Sequence, residues 1–337
     1  MSNRAVGALR IRRTGKMVFG RALLGLMGSI VYVLASIPSS VAVMPRATAP
    51  SAVVVRKATI DSATKELNSS VARVNPFRIG RTLVIPHGGG DGLFPENTLY
   101  AYEKSQALGG DVIDLDVFMT AGNVLIAMHD GTLDRTTNGT GRVSQTTYEA
   151  IAKLDAGWNF KKNGKFPFRN KGLRVPTIES VLKHFPNTPA TLDLKDQRVQ
   201  VVAPVCSLLR KLNRTSDVYV GVDTAEQVLA FRSQCPEVST SGTDAERRAM
   251  RAARDTNDLS FTTRQLVGQP RYISDDGTKR ITAEYLAFSH AKGIAVLTWV
   301  VDDPKHMAEL VNLGVDGIYT RRPDVLVRVL KDLKNVQ

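Results

Sequence analysis

Two histidines and three carboxylates stand at the ends of short apolar runs in this chain. His87 follows Leu83-Val84-Ile85, Asp114 and Asp116 follow Val112-Ile113, and His129 follows Leu125-Ile126-Ala127-Met128. Asp193 and Lys195 close a further run over 190–195. Runs of this length, bounded by turn residues, read as buried strands. Side chains two apart on a strand point the same way, so Asp114 pairs with Asp116, and Asp193 with Lys195. Histidine moves protons near neutral pH, and carboxylates hold hard cations. The combination suits metal-assisted acid/base chemistry.

The elements that must position these groups alternate. The pattern predicts strand 82–86, helix 96–108, strand 111–118, a turn through Thr120-Ala121-Gly122-Asn123, strand 124–128 and a short helix near 146–154. It continues with helix 177–185, strand 190–195, helix 198–212, strand 217–222, helix 224–233, a short run at 237–240 and helix 244–254. Strand 258–262, helix 282–292, strand 294–300, helix 304–313, strand 315–319 and helix 323–333 complete it. Regular strand–helix alternation over this length predicts an α/β fold of the TIM (β/α)8 barrel type. The expected domain is 81–337, and its chemistry belongs at the C-terminal ends of the strands. His87, Asp114, Asp116, Asp193, Lys195 and Trp299 all fall there.

The formal net charge of +13 does not belong to that domain. Residues 1–81 hold thirteen of the 45 Lys and Arg but only Asp61 and Glu66 of the 32 acids. A basic catalytic body is excluded, and with it nucleic-acid binding as the default partner. In residues 1–44, Arg4, Arg10, Arg12, Arg13, Lys16 and Arg21 precede an uncharged run from Ala22 to Val43. As a helix that run is about 33 Å long, enough to span a bilayer core of ~30 Å. Basic residues before it favour export of the chain on its C-terminal side. An uncleaved signal anchor and a signal peptide cut near Ser40-Val41-Ala42 both fit. The first places a membrane-anchored catalytic domain outside the cytoplasm; the second secretes it. Residues 45–80, with Pro45, Pro50 and Pro76, read as a linker. The two cysteines, Cys206 and Cys235, form one disulfide or remain two buried thiols.

At these positions the chain resembles the glycerophosphodiester phosphodiesterase family. The resemblance rests on His87-Gly88-Gly89, Pro95-Glu96-Asn97-Thr98, Asp114-x-Asp116, His129-Asp130 and Asp193-x-Lys195. Thr132 to Gly141, Val175-Pro176-Thr177, Gly314 to Ile318 and Arg322-Pro323-Asp324 extend it to about residues 82–330. Several spaced motifs in order are far more specific than a single short one. The resemblance implies a TIM barrel, one divalent cation (Ca²⁺ or Mg²⁺), and cleavage of glycerophosphodiesters to glycerol 3-phosphate and an alcohol. It implies His87 and His129 as the acid/base pair and Asp114, Asp116 and Asp193 as metal ligands. Lys195 would bind phosphate oxygens or orient the carboxylates, Trp299 would pack on glycerol, and Glu96 would support the loop or a histidine from behind.

Three positions depart from the family pattern. Gly88 stands where arginine is usual, and Asp114 and Asp193 where glutamate is usual. The Gly88-Gly89-Gly90 backbone could offer N–H groups to phosphate in compensation. A phospholipase D-type activity on lysophospholipids is the rival reading, and a non-catalytic, metal-stabilised surface protein a more distant one. His184, His290 and His306 fall on helices and read as surface or core residues. Trp158 reads as packing, and Arg135 as a loop salt bridge or a phosphate ligand. Arg247, Arg248, Arg251 and Arg254 form a stripe that is either a solvated face or a contact for anionic lipid.

Overall fold

The computed structural model describes residues 75–335. The expected leader and most of the linker lie outside the described residues. Among those described, no helix is long and apolar enough to cross a membrane.

Eight parallel strands form the barrel, in ring order β1 (Leu83–Pro86), β2 (Ile113–Met119), β4 (Ala190–Leu194), β5 (Val218–Val222), β6 (Ser239–Thr240), β7 (Val267–Gly268), β8 (Ala295–Thr298) and β9 (Gly317–Thr320). A short β3 (Leu125–Ala127) pairs antiparallel with β2 outside that ring. The hydrogen-bonded ladders make two arcs, β7-β8-β9-β1 and β3-β2-β4-β5-β6. Across the gap between β1 and β2, the Asp111 N–H donates to Val84 O, and the Val84 N–H to Asp111 Oδ2, both at 2.8 Å.

Strand alternation divides the side chains. Ile113, Leu115 and Val117 of β2, with Ala190, Leu192 and Leu194 of β4, face the outer helices and join one buried cluster. Their neighbours Asp114, Asp116, Thr191 and Asp193 point the other way, toward the barrel axis. Leu83, Ile85, Tyr219, Val267, Ala295, Leu297 and Tyr319 fill the interior, together with Phe77. The barrel is thus a packed core with a polar rim.

Nine α-helices are described, and six of them begin at a residue whose side chain caps the first turn. They are α1 (Leu99–Ala107), α2 (Tyr148–Ile151), α3 (Ile178–His184), α4 (Val202–Lys211), α5 (Ala225–Gln234), α6 (Asp244–Asp255), α7 (Ala283–Ala291), α8 (Pro304–Leu313) and α9 (Pro323–Lys334). Thr98, Thr177, Thr224, Thr243 and Thr282 each accept a backbone N–H three residues on, which satisfies a donor the first turn leaves unpaired. At α6, Thr243 and Glu246 complete a capping box.

Two expectations change. The strand expected at 258–262 is a loop: Asp258 Oδ1 accepts the Ser260 N–H at 2.8 Å, and Leu259 is exposed. The seventh barrel strand instead lies at Val267–Gly268, too short to stand out as an apolar run. Packed structure also begins before residue 81. Phe77 is buried, and Asn75 Nδ2 donates to Leu266 O at 2.7 Å. Cys206, midway along α4, and Cys235, which follows the last residue of α5, are bonded, with Cα atoms 5.9 Å apart.

Candidate active site

Strand register brings the carboxylates together. Asp116 lies beside Asp193 in the β2–β4 ladder, and Asp114 beside Thr191. Thr191 Oγ1 donates to Asp114 Oδ1 at 2.7 Å, and the Gly88 N–H donates to Asp114 Oδ2 at 3.0 Å. Asn97 Nδ2 donates to Asp116 Oδ2 at 2.8 Å, while Asn97 Oδ1 accepts the Tyr102 hydroxyl at 2.9 Å. Asn97 makes these contacts at φ 55°, in the left-handed region that Asn tolerates.

Burial dominates the electrostatics. It raises the pKa of Asp114, against the opposing charge of His87. It raises Asp116 to about 6, helped by Asp114 and opposed by Lys195 and Asn97. Lys195 Nζ bridges Asp193 Oδ2 at 2.6 Å and Asp116 Oδ1 at 3.7 Å. Burial disfavours the Lys195 charge, but Asp193 and Asp116 outweigh it and raise the pKa.

Each histidine has a carboxylate at Nδ1. His87 Nδ1 is 3.3 Å from Asp91 Oδ2, and His129 Nδ1 is 2.7 Å from Asp130 Oδ1. Burial works against the charge on His87, yet Asp91, Asp114 and Asp116 together raise its pKa to about 9. Behind His129, Arg135 donates from Nε to Asp130 Oδ2 at 2.5 Å and grips Glu96 with both terminal nitrogens. Glu96 therefore acts at a distance, through Arg135 and Asp130, on the orientation of His129.

A cleft of about 460 Å³ opens over this rim. His87, Asp114, Asp116, His129, Asp193, Lys195 and Trp299 all line it. Two expected site residues stand back. Glu96 is held by Arg135, and Gly88 gives its N–H to Asp114, so that donor is not aimed at phosphate. The Gly90 N–H is likewise taken, by His87 O at 2.7 Å. Trp299 is 40% exposed, and its Nε1 donates to Gln269 O at 2.8 Å. His184, His290 and His306 sit elsewhere, beside Glu103, Asp316 and Asp303.

The donor set suits a hard cation in kind: Asp114 and Asp116 are buried, acidic and mutually repelling. Among the described residues, however, no three His, Cys, Asp or Glu side chains converge as a ready metal cage. Asp193 is turned to Lys195.

A family description of glycerophosphoryl diester phosphodiesterases matches residues 87–325. The chain belongs to that family. The glycerophosphodiester phosphodiesterase of Bacillus subtilis (strain 168) is 30% identical over 276 residues, 78% of this chain and 91% of that one. The solved glycerophosphodiester phosphodiesterase of Agrobacterium tumefaciens str. C58 superposes with a TM-score of 0.60 at 26% identity, covering 74% of this chain and 99% of the other. An Oleispira antarctica phosphodiesterase, solved with its product sn-glycerol-3-phosphate, shares the fold at a TM-score of 0.60 and 18% identity, covering 74% and 97%. As a member of the phosphodiesterase family, the chain is an α/β barrel enzyme with its polar groups on the expected rim.

Sequence reasoning passed over several residues of the site. Asp91, behind His87 rather than in the cleft, carries a weak signal, four residues after His87 beside glycines. Thr191 could have been found from its place two before Asp193. Arg247, read as part of a solvated or lipid-facing stripe, lines the cleft instead, with Nη2 on Asp244 Oδ1 at 2.5 Å. Its sequence neighbourhood carries no signal for that, because the approach of α6 to the rim places it.

Proposed function

We propose that this enzyme hydrolyses water-soluble glycerophosphodiesters to glycerol 3-phosphate and an alcohol. The observation that carries the reading is the pair of histidines in one cleft, each with Nδ1 held by a carboxylate and Nε2 left for substrate. A diester needs one proton removed from the attacking hydroxyl and one delivered to the departing oxygen. His129 Nε2 takes the proton of a glycerol hydroxyl as its oxygen bonds to phosphorus. His87, whose raised pKa keeps it protonated at neutral pH, gives its proton to the alkoxide as the P–O bond breaks. The cyclic phosphate so formed is opened by water with the two roles reversed. Asp91 and Asp130 keep both rings oriented throughout.

Asp114, Asp116 and Asp193 would hold one divalent cation, Ca²⁺ or Mg²⁺. Such an ion supplies charge neutralisation for the phosphate oxygens. Lys195, the one lysine lining the cleft among the described residues, contributes a second positive charge beside Asp116 and Asp193. Trp299 offers an exposed face for the glycerol carbons.

An extracytoplasmic location is part of the same proposal, as an anchored or a secreted protein. The Cys206–Cys235 bond supports it, since such bonds persist mainly in oxidising compartments.

The test is phosphorus NMR of the enzyme with glycerophosphocholine and Ca²⁺ or Mg²⁺, against the same mixture with chelator. Cation-dependent glycerol 3-phosphate is expected. Turnover of lysophosphatidylcholine alone would replace this reading with a phospholipase D-type one.

A further inference from the structure

Between Asp155 and Glu179 the chain has no acidic residue and six basic ones: Lys161, Lys162, Lys165, Arg169, Lys171 and Arg174. The structure makes a shaped surface of this stretch. Lys162 and Lys165 exchange backbone hydrogen bonds, each at 2.9 Å, and close a two-residue hairpin. Its tip is Asn163-Gly164, at φ 49° and 76°, the mirror-image turn that suits strand twist. Lys161, Lys162, Lys165 and Lys171 are exposed and have no acidic partner among the described residues. Phe166, 36% exposed, stands among them.

This surface is tied to the active-site rim. Phe160 packs on Phe168, Phe168 on Tyr100 and Tyr100 on Phe94, in the loop that follows His87, with ring centroids 5.2, 5.5 and 5.9 Å apart. On the other side, Asn159 Nδ2 donates to Asp134 O at 2.9 Å and Thr137 O at 3.1 Å, in the loop that carries Arg135.

We propose that residues 158–174 dock the enzyme on an anionic phospholipid surface, with the lysines at the headgroups and Phe166 at the interface. Each lysine near such a surface is attracted to it, and an exposed phenyl ring adds apolar burial at the boundary between headgroups and acyl chains. A single-stranded nucleic acid fits less well, because it needs free ring faces on which to stack bases. Here the Arg169 guanidinium carbon lies 3.5 Å from the Phe166 centroid and 4.6 Å from that of Trp158, and the rings of Phe160 and Phe168 engage each other. The inference stands apart from the proposed reaction, since it concerns binding alone.

The test uses the full chain with Pro167→Cys, labelled with an environment-sensitive dye; Cys206 and Cys235 are bonded to each other and do not compete. The protein is floated with vesicles of phosphatidylglycerol and phosphatidylcholine, or of phosphatidylcholine alone, and dye emission is read in the vesicle-bound fraction. A blue shift confined to the anionic vesicles is expected. It should disappear when Lys161→Gln, Lys162→Gln and Lys165→Gln are added, exposed changes that leave the core untouched. Failure to float with anionic vesicles, water-like emission from the bound protein, an equal shift on both vesicles, or a shift that survives the three substitutions would each overturn the proposal. An equal shift with a soluble polyanion such as RNA would reassign the hairpin and overturn it too.

Discussion

The Oδ2 atom of Asp91 lies 3.3 Å from Nδ1 of His87, one turn further along the same loop. That contact turns the other ring nitrogen toward the cleft. It also helps to hold the imidazolium proton up to a pKa of about 9, against the burial that would remove it. A histidine raised in this way is charged below its folded pKa and loses its proton as pH rises through it. Activity that uses His87 as an acid should therefore fall on the alkaline side of the profile. Asp91→Asn should move that fall to lower pH and reduce kcat/KM at pH 8 by roughly tenfold or more. A pH–rate profile checks this; an unmoved alkaline limb would release His87 from the acid role.

His129 sits on the other side of the chemistry. His129→Ala should lower kcat by about 10²–10⁴-fold, the usual contribution of a positioned acid or base. Ca²⁺ or Mg²⁺ should still raise the melting temperature, because Asp114, Asp116 and Asp193 are unchanged. Turnover close to that of the unaltered protein would remove His129 from the mechanism.

The buried carboxylates predict how cation binding responds to pH. Asp116 titrates near 6 in the folded chain, above its ordinary value, so the folded state holds a proton that the unfolded state has already lost. Stability of the cation-free protein should accordingly decrease as pH rises from about 4 to about 6. Cation binding needs the ionised form, so the melting-temperature gain from Ca²⁺ or Mg²⁺ should grow as pH rises through 6. A gain independent of pH between 5 and 7 would take Asp116 out of the ligand set.

Gly88 leaves room where the resemblance leads one to expect arginine. A Cβ built there meets nothing closer than Glu96 Cβ at 3.5 Å, although φ is +52°. Gly88→Arg should lower KM for an anionic diester by supplying a guanidinium beside the cleft. It should also cost about 1–2 kcal/mol in stability, from the left-handed backbone. Kinetics and a urea titration separate the two effects; an unchanged KM would show that the glycine is no deficit.

The Cys206–Cys235 bond closes a loop with a sequence separation of 29 on the outer helices, away from the cleft. Cys206→Ser with Cys235→Ser should lower unfolding free energy by about 2–4 kcal/mol and leave kcat unchanged at 25 °C. Urea denaturation and a standard assay check both halves of that statement.

The periodicity of the chain determined most of the architecture by itself. Apolar runs ending in His87, Asp114-Leu115-Asp116, His129 and Asp193-Leu194-Lys195 specify both strand and rim, because alternation sends each polar side chain to one face. The seventh strand escaped this reading, since Val267–Gly268 owes its strand state to β8 beside it rather than to any pattern of its own.

What only the tertiary structure decided is which groups meet. No local signal joins Glu96 to His129 through Arg135 and Asp130, couples Gly88 to Asp114, or draws Arg247 into the cleft. These contacts depend on closing the ring, which brings loops far apart in sequence to one rim. Register then chooses the neighbours: pairing Asp116 with Asp193 sets Lys195 between two carboxylates, and a slip of β2 by one residue would send Asp116 to the outer face and break the pair.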